Sequence, residues 1–181
     1  GEESKPNKYF DKGSELGKYL ETGEIPHYCQ DALLEQVAAV IPKLDVMEDK
    51  LEVEYEHIKL LSYIDSGALD GSEFLEYKTG KNPWTQAKVD SHEQLDFYAL
   101  CYYLRSDQTI LPTCKLYWVE TQETDDGLRY TGYVEEFQRS FTEQDMVNVL
   151  TNILTALKEI EEFEYTELEV EDSLIDRYIE L

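Results

Sequence analysis

Cysteine is scarce in this 181-residue chain: Cys29, Cys101 and Cys114 are odd in number and far apart. That excludes a disulfide framework and a CxxC metal knuckle, and leads us to expect a reducing, cytoplasmic compartment. Cys101 falls on an apolar helical face and Cys114 in a strand-like run, where buried free thiols are usual. Long apolar runs are missing too. None reaches the ~18 residues of a membrane span, so no membrane association is expected. The opening Gly1-Glu2-Glu3-Ser4-Lys5-Pro6 lacks the basic and apolar regions of a signal peptide and reads as a disordered lead-in over residues 1–7. Basic residues are the third shortage. Sixteen Lys and Arg stand against forty Asp and Glu, a formal charge of −24, which repels nucleic acid at long range. The deficit is uneven. Residues 141–181 carry twelve acids and two bases, whereas Tyr77 to Val89 carries Lys78, Lys81 and Lys88 and no acid. This one positive stretch is a candidate phosphate-facing loop, with an ordinary lysine-bearing loop as the plainer alternative.

What the chain has is a legible alternation of helical and strand periods. Its length suits a single domain over 1–181, burying roughly 70% of the unfolded surface. Helical stripes are expected over Lys8–Thr22 and Tyr28–Ile41, the second stopped by Pro42. A half-buried strand is expected over Leu51–Ile58, then two strands around Asp70-Gly71, then a helix over Asp90–Arg105 opened by a Ser91/Gln94 capping box. Strands over Pro112–Thr121 and Tyr130–Phe141 follow, then a Thr142-capped helix to about Glu162. Residues 165–181 form an acidic C-terminal extension, expected as a strand and a short amphipathic helix. The order implies an α/β fold: a small central mixed β-sheet flanked by helices on both faces.

The run from Tyr63 to Lys78 carries the chemistry. Asp-Gly between alternating apolar runs favours a type I′ turn, in which both central residues need positive φ. Such a turn pairs Leu69 with Ser72, Gly67 with Phe74, and Asp65 with Glu76. Opposed residues share a face, as do residues two apart, so Asp65, Glu76 and Lys78 are expected on one side. Facing carboxylates repel unless a cation lies between them, which makes Lys78 and a divalent metal their natural neighbours. The alternative is a solvated polar face; Ile64, Phe74 and Leu75 in the same run argue for an interior strand pair instead.

Further along, Gln94 and Tyr98 are four apart and share a helix face, although capping suits Gln94 and core packing suits Tyr98. Trp84, in an Asn-Pro-Trp loop beside the lysines, could stack on a base at ~1–3 kcal/mol or anchor the loop. His27, His57 and His92 show no metal-ligand spacing.

The words Tyr63-Ile64-Asp65, Leu75-Glu76-Tyr77-Lys78-Thr79-Gly80-Lys81 and Gln94-Leu95-Asp96-Phe97-Tyr98 resemble the PD-(D/E)XK nuclease superfamily, and above all its RecB-like exonuclease branch. The resemblance covers Gly13 to Glu120 and implies a restriction-endonuclease-like core. It implies that Asp65 and Glu76 bind Mg²⁺ or Mn²⁺ with the Tyr77 backbone carbonyl, with Glu54 on the first strand as a candidate extra ligand. Lys78 would then orient or deprotonate the attacking water, and Asp65, Glu76 and Lys78 would form the catalytic set. Gln94 and Tyr98 would contact substrate beside the metal, with Lys81, Lys88 and Trp84 as further substrate contacts. The branch usually carries a His on its first helix where this chain has Gly17. Some relatives hold an iron–sulfur cluster through four cysteines, more than this chain has.

The implied activity is metal-dependent hydrolysis of DNA phosphodiesters, as an exonuclease of recombination, repair or phage DNA processing acting on ends or single strands. A catalytically weakened member, serving as a binding or scaffold module with a protein partner on the acidic C-terminal segment, is the alternative that Gly17 and the net charge suggest. A carboxylate-striped DNA mimic is a third reading. The resemblance admits an oligomer without diagnosing a subunit interface.

Overall fold

Five strands form one mixed sheet in sequence order: β1 (Val46–Tyr55), β2 (Ile58–Gly67), β3 (Glu73–Gly80), β4 (Thr113–Thr124) and β5 (Gly127–Ser140). The computed structural model describes residues 11–164. The expected lead-in, the start of the expected first helix and the acidic extension lie outside that range. Neighbouring strands are antiparallel except β3 and β4, which run parallel. A parallel pair needs a crossover, here supplied by α3 (Gln86–Asp90) and α4 (Glu93–Arg105). Both faces are covered. Helices α1 (Asp11–Thr22) and α2 (Leu34–Ala38) pack Leu16, Leu20, Leu34 and Val37 on Leu75, Tyr117, Val119 and Tyr130. On the other face, α4 and α5 (Glu143–Glu164) bring Leu95, Tyr98, Tyr102 and Met146 against Ile64, Phe74, Leu116 and Trp118. The α/β architecture with helices on both faces of a small mixed sheet is therefore observed, and it is that of a restriction-endonuclease-like core.

Three local expectations need correction, each for a physical reason. The second helix shrinks to five residues because Asp31 is used as a tertiary clamp. Its carboxylate pairs with the Lys12 ammonium at 2.9 Å and accepts the Tyr130 and Leu33 backbone N–H groups. The expected capping box at Ser91 does not form. Ser91 ends α3 by donating its hydroxyl to the Ala87 carbonyl, His92 is the N-cap of α4, and Gln94 is left free for another partner. The turn at Asp70-Gly71 is not type I′, since Gly71 has φ 77° while Asp70 is not in the left-handed region. The Gly71 N–H instead bonds the Ala68 carbonyl, and the Ala68 N–H bonds the Glu73 carbonyl. This loop is wider by one residue on each side, so the expected pairing of Gly67 with Phe74 survives. At the other end of the sheet, Thr142 caps α5 reciprocally with Asp145, as the hydroxyl and N–H of Thr142 both reach the Asp145 carboxylate at 2.7 Å.

Gly67 marks the tightest approach in the core. A Cβ there would sit 1.8 Å from the Tyr102 hydroxyl oxygen and 3.0 Å from Asp49 Oδ2, which that hydroxyl donates to at 2.8 Å. Tyr102 is fully buried, stacked on Phe74, and has nowhere to retreat. Gly67→Ala is expected to cost about 1–3 kcal/mol by overpacking, read as a lowered melting temperature. Adding Tyr102→Phe should recover part of that loss by removing the clashing oxygen; a further fall in the double variant would refute the steric account.

Candidate active site

The site forms where β2 and β3 part. Their ladder is limited to Ser66 with Leu75 and Gly67 with Phe74, and beyond it Asp65 fills the gap. Asp65 Oδ2 accepts the Tyr77 backbone N–H at 2.8 Å, taking the place of a strand carbonyl. Simple alternation does not set this position. Ile64 and Gly67 are three apart, yet both face the α4 side, so alternation slips by one between them. The neighbouring strand slips in step: Met47 packs toward α2 while Asp49, two residues on, bonds Tyr102 on α4. Glu48 lies at that slip with φ 51°, a left-handed backbone that costs a glutamate roughly 1 kcal/mol or more. Because both strands shift together, their register is kept, with Met47 opposite Ser66 and Asp49 opposite Ile64. Glu48 and Asp65 are thus opposed across β1 and β2.

From β3, Glu76 and Lys78 project to the α4 face. Lys78 Nζ lies 2.6 Å from Glu76 Oε1 and donates to Gln94 Oε1 at 2.9 Å. Gln94 Nε2 in turn donates to the Tyr98 hydroxyl at 2.7 Å. The carboxyls of Asp65 and Glu76 are within hydrogen-bonding reach of each other. One connected chain of polar contacts therefore joins Asp65, Glu76, Lys78, Gln94 and Tyr98.

Electrostatics within this chain are strained. Burial, and then the negative charge of Glu76, push the Asp65 carboxyl up to about 8, against the pull of the Tyr77 N–H and of Lys78. Burial also raises Glu76, with Lys78 opposing. The two carboxyls therefore share a proton at neutral pH, the expected behaviour of adjacent buried acids. Apart from that shared proton, Glu76 Oε2 is buried with no hydrogen-bond donor, and the Tyr77 hydroxyl is likewise without a partner. The phenol is held protonated by burial and by the charges of Asp65, Glu48, Glu76 and Glu21 around it.

A cleft of about 390 Å³ opens beside Asp65 on the α1 side, lined by Gly13, Gly17, Lys18, Glu21, Glu48 and Tyr77. Gly17 leaves room there: a Cβ at that position would lie 3.2 Å from the Tyr77 hydroxyl and 3.9 Å from Glu48 Oε1. Burial, then Asp65 and Glu21, raise the Glu48 carboxyl above its ordinary value.

Other sequence candidates lie elsewhere. Glu54 is exposed near the far end of β1, opposite Lys59, about 20 Å from Glu48 at ~3.3 Å per residue. Trp84 is half-buried against the core, with Lys88 Nζ 4.0 Å over its ring and His92 at its edge, so it anchors the lysine loop. Lys81 is exposed. Glu48 was the residue sequence reasoning missed, because Met47-Glu48-Asp49-Lys50 lacks strand alternation where the slip falls. Its one available signal is its register position opposite Asp65. Among the described residues, no three His, Cys, Asp or Glu side chains lie close enough to enclose an ion by themselves, and no helix is long and apolar enough to cross a membrane.

Fold and site together bring a strand-borne acid and a Glu-x-Lys strand to a split between β-strands. The chain is similar in structure to a proposed exonuclease from Eubacterium rectale, with a TM-score of 0.53 and 13% identity over 92% of this chain and 71% of that one. At that identity the likeness is one of fold. No family model and no curated protein sequence matches the chain.

Proposed function

We propose that this protein is a divalent-metal-dependent deoxyribonuclease that hydrolyses phosphodiester bonds, acting as an exonuclease on DNA ends or single strands. The observation that carries this reading is Glu76 Oε2, a buried carboxylate oxygen that no N–H or ammonium of the protein reaches and that only a proton shared with Asp65 would satisfy in the metal-free protein. Burying an unpaired carboxylate oxygen is costly, and a hard cation held by oxygen donors is what would satisfy it. Asp65, Glu76 and the Tyr77 carbonyl suit Mg²⁺ or Mn²⁺, ions that keep several waters and need few protein ligands. The bound ion would lower the pKa of a coordinated water and offset charge on the phosphate.

The remaining steps fall to this chain's own groups. Lys78 Nζ is fixed between Glu76 and Gln94, poised to donate to a phosphate oxygen or to orient the attacking water. Tyr98 holds Gln94, and Gln94 holds Lys78, so this pair sets the position of the ammonium. Lys81 on the loop leaving β3 and Lys88 on α3 supply positive charge in the sequence's acid-free cluster of lysines, where a phosphate backbone would be drawn in. The structural likeness to a proposed exonuclease points the same way.

The test is direct. End-labelled linear DNA and a closed circle are incubated with the protein in Mn²⁺, Mg²⁺ or EDTA. Release of nucleotides from the linear substrate alone, abolished by EDTA, is expected. No hydrolysis of either with any divalent ion would overturn the proposal.

A further inference from the structure

A second cleft, of about 620 Å³, opens between the start of β2, the first turn of α4 and the middle of α5. Its origin is the apolar stripe of α5. Met146 is buried in the core, but farther along Val149, Ile153 and Leu157 are only half-buried, and they line the cleft together with Phe97 of α4. Apolar surface left open to water is unfavourable, and clefts of this size with apolar and aromatic walls and a few polar groups are typical small-ligand sites. The cleft adjoins the candidate active site through Gln94, which lines it and accepts the Lys78 ammonium at 2.9 Å. We infer that this cleft is a base pocket: it receives the base of an unpaired nucleotide whose phosphate lies at Lys78, with the Phe97 ring as its stacking surface. The inference rests on the nuclease reading above and deepens it, by naming the strand state of the substrate.

The occupant follows from how charge is divided between the two places. The ammonium of Lys78 stands beside the cleft, held by Glu76 and Gln94. Within the cleft there is little to hold a phosphate. Burial, and then the charge of Lys78, lower the pKa of His92, so its imidazole is neutral at pH 7. Asp96 is tied to Arg139, and Lys59 and Glu93 are exposed and of opposite sign. A nucleotide has the same division, a charged phosphate joined to a flat base with apolar faces and polar edges. Aromatic rings take such faces whatever the sequence. The edges meet carboxamides, which pair with bases. Gln94 spends one lone pair on Lys78 and one N–H on Tyr98, leaving it a further acceptor and a further donor. Asn152 of α5 adds a second amide to the lining. An apolar peptide would match the walls and leave the adjoining ammonium unused. A base in a duplex must first unstack and unpair to enter, a cost that is least in a single strand.

The test begins with binding, which needs no hydrolysis. Calorimetry in Mn²⁺ compares deoxyadenosine monophosphate with deoxyribose phosphate on wild type, Phe97→Leu, Ala156→Trp and Val147→Trp, each with a melting curve to confirm the fold. Wild type should bind the nucleotide about 5–150-fold more tightly than the sugar phosphate, the gain from stacking one base on an aromatic ring. Phe97→Leu keeps an apolar wall and should shrink that ratio, and Ala156→Trp should abolish it by filling the cleft. Val147, exposed on the same helix, does not line the cleft, so Val147→Trp should match wild type. In cleavage, wild type should show a higher kcat/KM on a single strand than on a blunt duplex or on the same strand with abasic ends. A wild type that binds both ligands alike while still cutting DNA would overturn this inference and leave the nuclease reading standing. Base preference retained by a folded Ala156→Trp would overturn it by placing the base elsewhere. A wild type indifferent to the base but dimeric in ultracentrifugation, with Ala156→Trp monomeric, would overturn it by giving the cleft to a second copy. Base preference lost in Ala156→Trp, in a wild type that cuts no DNA, would support the pocket and remove the nuclease reading.

Discussion

Replacing Lys78 with Met is expected to lower DNA hydrolysis by roughly 10²–10⁴-fold in a protein that still folds. The side chain is 28% exposed, so methionine can follow the lysine stem while giving up the 2.6 Å contact to Glu76 and the 2.9 Å bond to Gln94. Two roles for the ammonium make opposite predictions for the rate at saturating metal. If Lys78 merely offsets Glu76, its removal leaves more negative charge in the site, so Mn²⁺ should bind more tightly and rescue activity at saturation. If Lys78 acts on the phosphate or the attacking water, the rate at saturating Mn²⁺ stays low whatever the affinity. Single-turnover cleavage of labelled linear DNA across a Mn²⁺ titration separates them, with a melting curve to confirm the fold. Lys78→Arg should not restore the rate, because a planar fork cannot replace a compact ammonium between Glu76 and Gln94. Hydrolysis within a few-fold of wild type in folded Lys78→Met would remove Lys78 from the chemistry.

Why Asp65 meets Glu76 is instructive about how far a sequence can be read. Counting outward from Asp70-Gly71 gives the register of Gly67 with Phe74, and that register is present although the turn type differs. A symmetric change in loop length leaves the pairing untouched, so the count succeeds for a reason that the turn rule does not contain. Strict alternation would then place Asp65 on the face of Gly67, toward α4. The joint slip at Glu48 and Asp65 instead leaves Asp65 between the strands, bonded to a backbone N–H. No periodicity rule finds a slip of this kind, because its cause is tertiary: two strands deform together and their register conceals the change.

Helix boundaries failed for a related reason. Asp31 and Ser91 both sit inside sequence patterns that read as continuous helix or as a cap. Each is diverted by a partner remote from that pattern or by the end of a neighbouring helix, Asp31 by Lys12 and Tyr130, Ser91 by the end of α3. Gln94 gains its contact with Lys78 through that second diversion. The layered α/β arrangement is readable because burial on both faces of β4 writes a continuous apolar run from Leu116 to Val119. The positive φ at Glu48 leaves no such mark.

At pH 8 and above, metal-free Asp65→Asn is expected to be more stable than wild type by on the order of 2–5 kcal/mol, with the difference vanishing near pH 4. Burial and the charge of Glu76 push the Asp65 carboxyl from 3.8 up to about 8. An acid raised on folding is the reverse of the salt-bridged case: between these values the folded protein retains a proton that the unfolded chain has released. Its contribution is therefore fully present below about pH 4 and is lost progressively as pH rises to about 8. The raised Glu76 and Glu48 act in the same direction, with Lys78, Lys18, Glu21, the Tyr77 and Tyr98 phenols and the Cys114 thiol as other ionisable groups around the pair. An amide at position 65 imitates the protonated acid at every pH. Its oxygen can still accept the Tyr77 N–H, and its NH₂ can donate to the orphaned Glu76 Oε2. A bound divalent ion would do the proton's work in wild type, so Mn²⁺ should raise the wild-type melting temperature more at pH 8 than at pH 5 and leave the variant unmoved. Melting curves from pH 4 to 9, with and without Mn²⁺, measure all of this. Parallel pH profiles for the two metal-free proteins would mean that the Asp65–Glu76 pair holds no shared proton, and the strain that favours a cation there would be gone with it.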